Sequence, residues 1–484
     1  MSTGRNPMKR RITAGLGIAA LATAALFGSM LPASAADAGN INESTPKSLT
    51  IHKFAQPATQ GTAPDGNKLP DAATSGLTPL KGVEFTIQEV TNINLKTNAG
   101  WEATSDLTPG AILPANLGAG VPGVTNEAGV INFPGLKQAV YLVTETKPGA
   151  NNIAFAAQPF LVTLPLPDST KNTWIYDVHV YPKNSLSSIT KTVNDSAAKG
   201  LGSKVTWNIA AKVPNASEGN TLTSFAIEDV LDPRLTFSGA TVSLVPANGL
   251  LATDYDIDST TVPGTVKINF NASGLAKLTP GTSVQVALDT TVTTLDGNSS
   301  GIITNDASVF VNNNKATSDQ AQTNWGNVII RKTDAADKTK NLEGAEFQVY
   351  ATEADANAGN NAISVSGKTV FTSNADGIVN IAGLKAKNNG AGADITYWLV
   401  ETKAPLGYNI STSVSAATPK SFVVNTEITT IVDIVVENVQ AKPFTLPLTG
   451  GSGTAMFMTV GLGLLAVAGG VALRKRSTRR TVQA

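Results

Sequence analysis

Three side chains in the last third of the chain could together form a covalent bond inside a folded domain. Lys332 follows Val328 and Ile330 at alternate positions, so strand geometry aims all three at one apolar face. The same alternation aims Glu401 and Asn438 inward on two other strands. Burial lowers the pKa of a lysine and raises the pKa of a glutamate, which leaves a neutral amine beside a protonated acid. This chemistry predicts attack of the amine on the asparagine amide, with loss of ammonia and formation of an intramolecular isopeptide bond.

A simpler interpretation fits the same residues. A buried lysine is costly unless it is paired, and Lys332 with Glu401 would make an ion pair beside a structural Asn438. On residue types and spacing alone this ion pair is the commoner arrangement, so the choice between the two interpretations depends on other features of the chain.

The middle of the chain offers a second set of the same kind. Lys191 and Asn305 each lie at an inward position of an alternating run, and Asp229 does so in a third run. We assign Lys191 and Asn305 as the bonded pair, with Asp229 as the acid. Asp232 and Glu228 are the alternative acids in the same stretch.

The first part of the chain has the lysine and the acid but lacks the amide. Lys53 points inward and Glu145 is present, whereas the last strand of this part offers Val178, Val180 and Pro182 at its inward positions. We therefore predict no bond here and a hydrogen-bonded Lys53–Glu145 pair, although a cross-link at Lys53 stays open.

Lys183 differs from these inward lysines. It follows the inward position Pro182, so alternation gives it the opposite orientation, and we expect it to face solvent at a domain edge. Most lysines are exposed, and an ordinary solvated lysine fits this position equally well. An exposed amine is nevertheless free to enter the active site of another protein.

The two ends of the chain carry processing signals. Residues 1–35 combine four basic residues, a long apolar run and Ala33-Ser34-Ala35, the pattern of a secretory signal peptide. At the other end the pentapeptide Leu446-Pro447-Leu448-Thr449-Gly450 precedes an apolar run over residues 455–473 and a basic tail. A run of this length just spans a hydrocarbon core of ~30 Å. The C-terminal order predicts a device that retains the chain in the membrane while it is cut.

Composition excludes several classes of function. Removing residues 1–35 and 451–484 removes nine basic residues and no acids, which leaves 36 − 9 = 27 basic against 36 acidic residues. A net charge of −9 argues against nucleic-acid binding. The chain has no cysteine and two histidines, so we expect no metal centre and no cofactor. Asp254-Tyr255-Asp256-Ile257-Asp258 lacks the glycine and glutamate of an EF-hand loop, which leaves only a looser Ca²⁺ site open.

Short alternating runs bounded by Gly, Pro and Asn recur along the chain and predict an all-β fold of tandem immunoglobulin-like β-sandwiches. Two parts of the chain repeat each other: Tyr141-Leu142-Val143-Thr144-Glu145-Thr146-Lys147-Pro148 parallels Tyr397-Trp398-Leu399-Val400-Glu401-Thr402-Lys403-Ala404-Pro405. The expected organisation is a signal peptide (1–35), a first domain (36–184), a different middle domain (185–325), a third domain like the first (326–441), and a C-terminal signal with a transmembrane helix (442–484).

Several of these features resemble those of sortase-assembled Gram-positive pilins. The C-terminal pentapeptide resembles the LPXTG sorting signal, and Trp174-Ile175-Tyr176-Asp177-Val178-His179-Val180-Tyr181-Pro182-Lys183 matches the WxxxVxVYPK pilin motif of corynebacterial Spa-type shaft pilins. The repeated domains resemble Cna-B modules and the middle domain resembles Cna-A-like modules. Cna-B modules are known for internal isopeptide bonds, with Lys332, Glu401 and Asn438 at the matching positions.

The resemblance implies a function and a set of partners. In the family a sortase cuts between Thr449 and Gly450, and Lys183 of another copy attacks the acyl-enzyme, giving a head-to-tail fibre on the cell wall. Glu145 lies in the block that resembles the family's E-box. The implied partners are a class C pilin sortase, identical subunits, minor tip or base pilins, and peptidoglycan through a housekeeping sortase, with host receptors as a further class.

We therefore interpret the chain as a structural shaft subunit, not a turnover enzyme, secreted and anchored to the wall of a Gram-positive cell. A wall-anchored monomeric adhesin and a minor pilin are the alternative interpretations. The motif around Lys183 favours the shaft subunit, because a monomer needs no nucleophilic lysine.

Overall fold

The structure is a computed structural model that describes most of the chain. The described residues are 40–57, 61, 63–168, 170–216, 219–295, 300–427, 432–442 and 452–478, with side chains in the last segment described over 456–472. The expected signal peptide and the sorting signal, including Thr449, lie outside these residues. The described part is almost entirely β-structure and forms three sandwiches in tandem, as the sequence predicts.

The first sandwich packs the sheet β4-β3-β6-β8 against β11-β1-β5, and the short sheet β2-β12-β7 continues the second layer. In β3, Phe85 and Ile87 are buried at alternate positions, as expected for a strand with one face on a core. The strands are β1 (Lys47–His52), β2 (Phe54–Ala55), β3 (Glu84–Glu89), β4 (Val121–Val124), β5 (Val130–Leu136), β6 (Ala139–Lys147), β7 (Ile153–Phe155), β8 (Phe160–Leu164), β9 (Leu166–Asp168), β10 (Thr173–Ile175), β11 (Asp177–Val180) and β12 (Lys183–Leu186), with helices α1 (Asp71–Thr74) and α2 (Asn98–Glu102).

The second sandwich has a different topology from the first. Sheet β13-β14-β19-β16 faces sheet β17-β18-β15-β21-β22. β19 alternates buried and half-buried residues along its whole length, the pattern that its sequence predicts. The strands are β13 (Ser188–Asn194), β14 (Lys204–Lys212), β15 (Phe225–Val230), β16 (Leu235–Val245), β17 (Tyr255–Asp258), β18 (Thr265–Phe270), β19 (Ser283–Val292), β20 (Ile302–Asn305), β21 (Ser308–Val311) and β22 (Asn314–Thr317), with helix α3 (Ala272–Leu275).

The third sandwich is built on the long strand β23, which pairs with β20 of the second sandwich as well as with β26 and β29. The other sheet has the order β25-β24-β27-β28. The elements are β23 (Ala321–Asp334), β24 (Glu346–Tyr350), α4 (Glu353–Ala358), β25 (Phe371–Thr372), β26 (Ile378–Lys387), β27 (Tyr397–Lys403), β28 (Lys420–Phe422) and β29 (Val432–Asn438).

A separate helix, α5 (Ser452–Thr478), covers the predicted membrane segment. Among the residues that the structure describes, no helix is long and apolar enough to cross a membrane.

The cores of the three sandwiches are not equally separate. One continuous cluster of buried apolar residues runs through the second and third sandwiches and includes Trp207 and Trp325. The first sandwich has its own cluster, around Leu49, Ile51 and Phe85. The shared cluster also takes in Ala154 and Phe155 of β7. The second and third sandwiches therefore share one apolar core, whereas most buried apolar residues of the first sandwich lie outside it.

Candidate functional site

In the third sandwich the structure brings the predicted lysine, acid and amide together. β23 and β29 run parallel, with Lys332 opposite Val436 and Asp334 opposite Asn438. Lys332 therefore lies two positions along the ladder from the asparagine. Asn438 Nδ2 donates to Glu401 Oε1 at 2.8 Å, and Lys332 Nζ lies 3.8 Å from the same oxygen. All three residues are at most 1% exposed, so they form a closed set away from solvent.

The electrostatics of this set suit amide exchange. Burial lowers the pKa of Lys332 to about 8, although Glu401 opposes the shift. Burial raises the pKa of Glu401, even though its Oε2 accepts from the Ser411 backbone N–H at 2.6 Å. Lys332 Nζ also donates to the Val436 carbonyl at 2.8 Å, which fixes the amine beside the strand that carries Asn438. The amine is thus easily deprotonated and the acid easily protonated, as attack on the asparagine requires.

In the second sandwich Lys191 Nζ contacts Asp229 Oδ2 directly and donates to the Asp306 carbonyl at 2.9 Å. Asn305 is 3% exposed, and both polar atoms of its side chain are buried without a hydrogen-bond partner among the described residues. Its side chain acts to lower the pKa of Asp229, against the larger effect of burial. Burial raises the pKa of Asp229 and lowers the pKa of Lys191.

The alternative acids of the second sandwich have other partners. Asp232 binds Arg234 at 2.7 Å, and the Glu228 carboxylate lies 3.9 Å from Lys267 Nζ. Asp229 is therefore the carboxyl group that faces the lysine, in agreement with the first assignment.

The first sandwich corrects the sequence-based expectation that no amide faces Lys53. Asn184 is fully buried, its Oδ1 accepts from Lys53 Nζ, and its Nδ2 donates to Glu145 Oε1 at 2.6 Å. Lys53 and Glu145 form the expected pair, with Nζ and Oε2 2.9 Å apart. The Ala157 backbone N–H also donates to Asn184 Oδ1 at 2.7 Å. Burial lowers the pKa of Lys53 to about 8. This sandwich therefore holds a complete third set.

The expectation was wrong because it ended the strand at Pro182. β11 ends at Val180, where it pairs with β1, and β12 begins at Lys183, where it pairs with β2. The register is the same in both pairs, since Val180 lies opposite Ile51 and Lys183 opposite Phe54. Asn184 thus lies opposite Ala55, two residues after Lys53, just as Asn438 lies opposite Asp334, two residues after Lys332. The alternation that aims Val178 and Val180 inward also reaches Asn184 if it is continued past Pro182. The sequence therefore contained the pattern that identifies Asn184 as an inward residue.

The first and third lysines sit in the same backbone frame. The Lys53 N–H donates to the Gly129 carbonyl and the Lys332 N–H to the Gly377 carbonyl, at 2.8 and 2.7 Å. On the facing sheets Glu145 lies opposite Phe85 and Glu401 opposite Phe347, and in each case the next residue of the glutamate's own strand is left unpaired at a bulge. These matched contacts bear out the repeat seen in the sequence.

Lys183 is only partly exposed, which corrects the expectation that it faces solvent freely. It begins β12 and pairs with Phe54 of β2, and its burial lowers its pKa. Nearby motif residues are held firmly. The Tyr181 hydroxyl accepts from the Leu69 N–H at 2.7 Å, and the ring of Trp174 packs on Trp101 with centroids 5.1 Å apart. The structure therefore presents the lysine on a fixed strand.

The fold and these sets define a class of protein: a chain of tandem β-sandwiches, each with a lysine and an asparagine buried around a carboxyl group. Three family descriptions match the chain: "Gram-positive pilin subunit D1, N-terminal domain" over residues 44–185, "Prealbumin-like fold domain" over residues 326–437, and "LPXTG cell wall anchor motif" over residues 438–478.

Known proteins resemble the chain over nearly its whole length. The fimbrial subunit type 2 of Actinomyces naeslundii is 31% identical over 99% of this chain and 98% of that protein. The fimbrial subunit type 1 of Actinomyces viscosus is 33% identical over 97% and 98%. The full-length major pilin SpaD of Corynebacterium diphtheriae is 26% identical, with a TM-score of 0.68 over 84% of this chain and 99% of that chain.

The chain belongs to the family of Gram-positive fimbrial pilin subunits. It is a structural subunit of a cell wall-anchored surface pilus and not an enzyme.

Proposed function

We propose that the chain is the shaft subunit of a covalently polymerised pilus, in which a sortase joins Thr449 of one copy to Lys183 of the next. A class C pilin sortase cleaves the Thr449–Gly450 bond and holds the threonine as a thioester. The Lys183 amine attacks that carbonyl, the C–N bond forms, the C–S bond breaks, and the proton released by the amine returns to the sortase thiolate. Minor tip and base pilins complete the fibre, and a housekeeping sortase transfers it to peptidoglycan.

The observation that carries this proposal is the setting of Lys183. The segment from Trp174 to Lys183 matches the pilin motif at every fixed position, and the same chain matches the anchor motif. Burial lowers the pKa of its amine, which increases the fraction that is neutral and nucleophilic. The fixed strand also holds this amine at the boundary between the first two sandwiches.

We also propose that the buried sets form internal isopeptide bonds: Lys191–Asn305 with Asp229, and Lys332–Asn438 with Glu401. In each, the lysine Nζ bonds to the asparagine Cγ and the Cγ–Nδ2 bond breaks. The carboxyl group gives its proton to the leaving nitrogen and takes one from the amine, so ammonia is the only product released.

The first sandwich supports a third bond of the same kind, Lys53–Asn184 with Glu145, in place of the unbonded pair that the sequence predicted. Its amide already contacts both the amine and the acid. An ion pair beside a structural asparagine remains the alternative for each set, and the release of ammonia separates the two.

Incubation of the exported chain with a class C pilin sortase tests the polymerisation. The parent is expected to give a ladder of covalent oligomers on denaturing gels, and Lys183→Arg to give none, because a guanidinium stays protonated. Lys171→Arg is the matched control, because Lys171 is an exposed lysine of the same sandwich, and its ladder should equal that of the parent.

A ladder that persists in Lys183→Arg would contradict the proposed acceptor. Attachment of Thr449 to peptidoglycan alone would favour a monomeric adhesin, and incorporation of a single copy at a fibre end would favour a minor pilin.

A further inference from the structure

A fourth buried lysine lies outside the three sets. Lys385 is fully buried on β26, and its Nζ lies 2.8 Å from Asp195 Oδ1, with neither side chain exposed. Asp195 follows β13 of the second sandwich, so the pair joins two sandwiches. The alternation of Val379 and Ile381 along β26 aims Lys385 inward, but no local pattern points to a partner in another sandwich.

The carboxylate of Asp195 is held from several sides. Its Oδ2 accepts from Thr323 Oγ1 at 2.6 Å, and its Oδ1 accepts from the Asn389 N–H at 2.9 Å. The Tyr397 hydroxyl donates to the Lys385 carbonyl at 2.6 Å. Both sandwiches therefore contribute to one closed polar cluster within their shared apolar core.

Backbone hydrogen bonds close the same interface. The Leu201 N–H donates to the Gly383 carbonyl at 2.8 Å, the Ser366 N–H to the Leu201 carbonyl at 2.8 Å, and the Lys385 N–H to the Lys199 carbonyl at 2.9 Å. The loop after β13 is thus laid against β26, with the ion pair at its edge.

This pair differs chemically from the three sets. Its described contacts include no asparagine side chain and no second carboxyl group that could shuttle a proton. An amide between lysine and aspartate would release water and needs a group that carries a proton to the leaving oxygen, whereas no second carboxyl group lies among the described contacts of this pair. Lys385 and Asp195 should therefore remain a non-covalent ion pair.

The position of the pair matters because of the path that tension takes through the fibre. With links at Lys183 and Thr449, force enters at the start of the second sandwich. The proposed internal bonds carry it from Lys191 to Asn305 and from Lys332 to Asn438. Between the two bonds, 332 − 305 = 27 residues are not bypassed; the other loaded segments, Lys183 to Lys191 and Asn438 to Thr449, lie before the first bond and after the second.

The Lys385–Asp195 pair spans this unprotected stretch. Asp195 lies four residues after Lys191, and Lys385 lies opposite Trp325 in the β23–β26 ladder. Thr323, which donates to Asp195, is itself within the stretch.

We propose that Lys385 and Asp195 form a load-bearing, non-covalent clamp that holds the second and third sandwiches together where the covalent path is interrupted. This inference rests on the proposed function, because it takes the attachment points and the two internal bonds from it. The compliance of a stretched subunit is then concentrated at the clamp.

Single-molecule pulling tests the clamp. The chain has no cysteine, so Lys183→Cys and Thr449→Cys place handles at the two attachment points of the exported chain. The parent should open in one short step of at most about 90 Å, the extended length of the unprotected stretch at ~3.4 Å per residue. Lys385→Met should shorten the lifetime before this step at constant force by about tenfold or more, since it leaves a buried carboxylate unpaired.

Two further variants keep the test decisive. Lys387→Met is the matched control on the same strand, because Lys387 pairs with Asp394 near the surface, and its lifetime should equal that of the parent. The double variant Lys385→Met/Asp195→Leu leaves no unpaired buried charge, and its lifetime should also fall below that of the parent, because it removes the acceptor of the Thr323 hydroxyl and the Asn389 N–H as well as the ion pair.

Equal lifetimes for the parent, Lys385→Met and the double variant would overturn the clamp. So would an intact mass that shows loss of water between Lys385 and Asp195. Failure of the proposed function has a different signature: if the internal bonds are absent, the parent extends by hundreds of ångströms.

Discussion

Loss of the lysine in the third sandwich should convert a subunit that opens by one short step into one that unravels under tension. In Lys332→Ala no bond to Asn438 can form, so force applied at the ends of the sandwich shears β23 past β29. These two strands are parallel, with Asp334 opposite Asn438, and force therefore acts directly on their hydrogen bonds. The measurement is constant-velocity pulling between residues 183 and 449.

The expected gain in length follows from the chain enclosed by the bond. The loop from Lys332 to Asn438 holds 438 − 332 = 106 residues, which extend to about 360 Å at ~3.4 Å per residue. The two residues start almost in contact, so nearly all of this length appears as new extension. The same reasoning gives 305 − 191 = 114 residues, or about 390 Å, for Lys191→Ala.

Two controls separate loss of the bond from loss of the fold. Asn438→Ala also removes the bond but keeps the Lys332–Glu401 pair, and it should gain the same length. Lys338→Ala removes an exposed lysine that pairs with Glu437, and it should behave like the parent. If Lys332→Ala and Asn438→Ala extend no further than the parent, the covalent path through the third sandwich is wrong.

Three other predictions follow from the same geometry. The mass of the intact exported chain should be lower than its sequence mass by three ammonia molecules, and Asn184→Ala should lose only two. A parent chain that has lost only two ammonia molecules would contradict a bond in the first sandwich. The rate of bond formation in refolded protein should pass through a maximum with pH, because attack needs a neutral Lys332, whose pKa is about 8, and a protonated Glu401, whose pKa is raised by burial. Mass spectra taken at intervals measure this rate, and a rate that only rises with pH would refute these roles. In urea unfolding, Gly377→Ala should destabilise the third sandwich by ~1–3 kcal/mol more than Gly344→Ala. Both glycines have a positive φ, but only a Cβ at Gly377 would lie 2.5 Å from the Lys332 carbonyl oxygen. Equal losses of stability would show that this contact is unimportant.

The sites in the second and third sandwiches were predictable because each critical residue lies on an uninterrupted strand. Alternation over β23 or β29 depends only on the local backbone, so it identifies the inward face of Lys332 and Asn438 directly. Asp229, and not its two neighbouring acids, lies against Lys191 for the same reason, since Asp229 shares the inward face of β15.

The first sandwich shows where local alternation fails. Tyr181 and Pro182 interrupt the strand, and only the pairing of β12 with β2 restores the register that brings Asn184 to Lys53. The same pairing half-buries Lys183, which alternation alone could not indicate.

The Lys385–Asp195 pair depends on how two sandwiches pack against each other. A periodic pattern within one strand carries no information about such a contact.

The proposed attachment points, Lys183 and Thr449, would give the three sandwiches different mechanical roles. Lys183 lies at the start of β12, the last strand of the first sandwich. Tension that enters at Lys183 therefore passes into β13 and not through β1–β11. We expect the second and third sandwiches to bear the load, in agreement with their continuous core. The first sandwich then serves mainly to present the acceptor lysine.

The most direct test of the account is to digest pili released from the cell wall and search by mass spectrometry for a branched peptide that joins the Thr449 carbonyl to the Lys183 Nζ. The account predicts this peptide as the main form of both residues in the fibre. Pili in which Thr449 is found only on peptidoglycan peptides, with Lys183 unmodified, would contradict it.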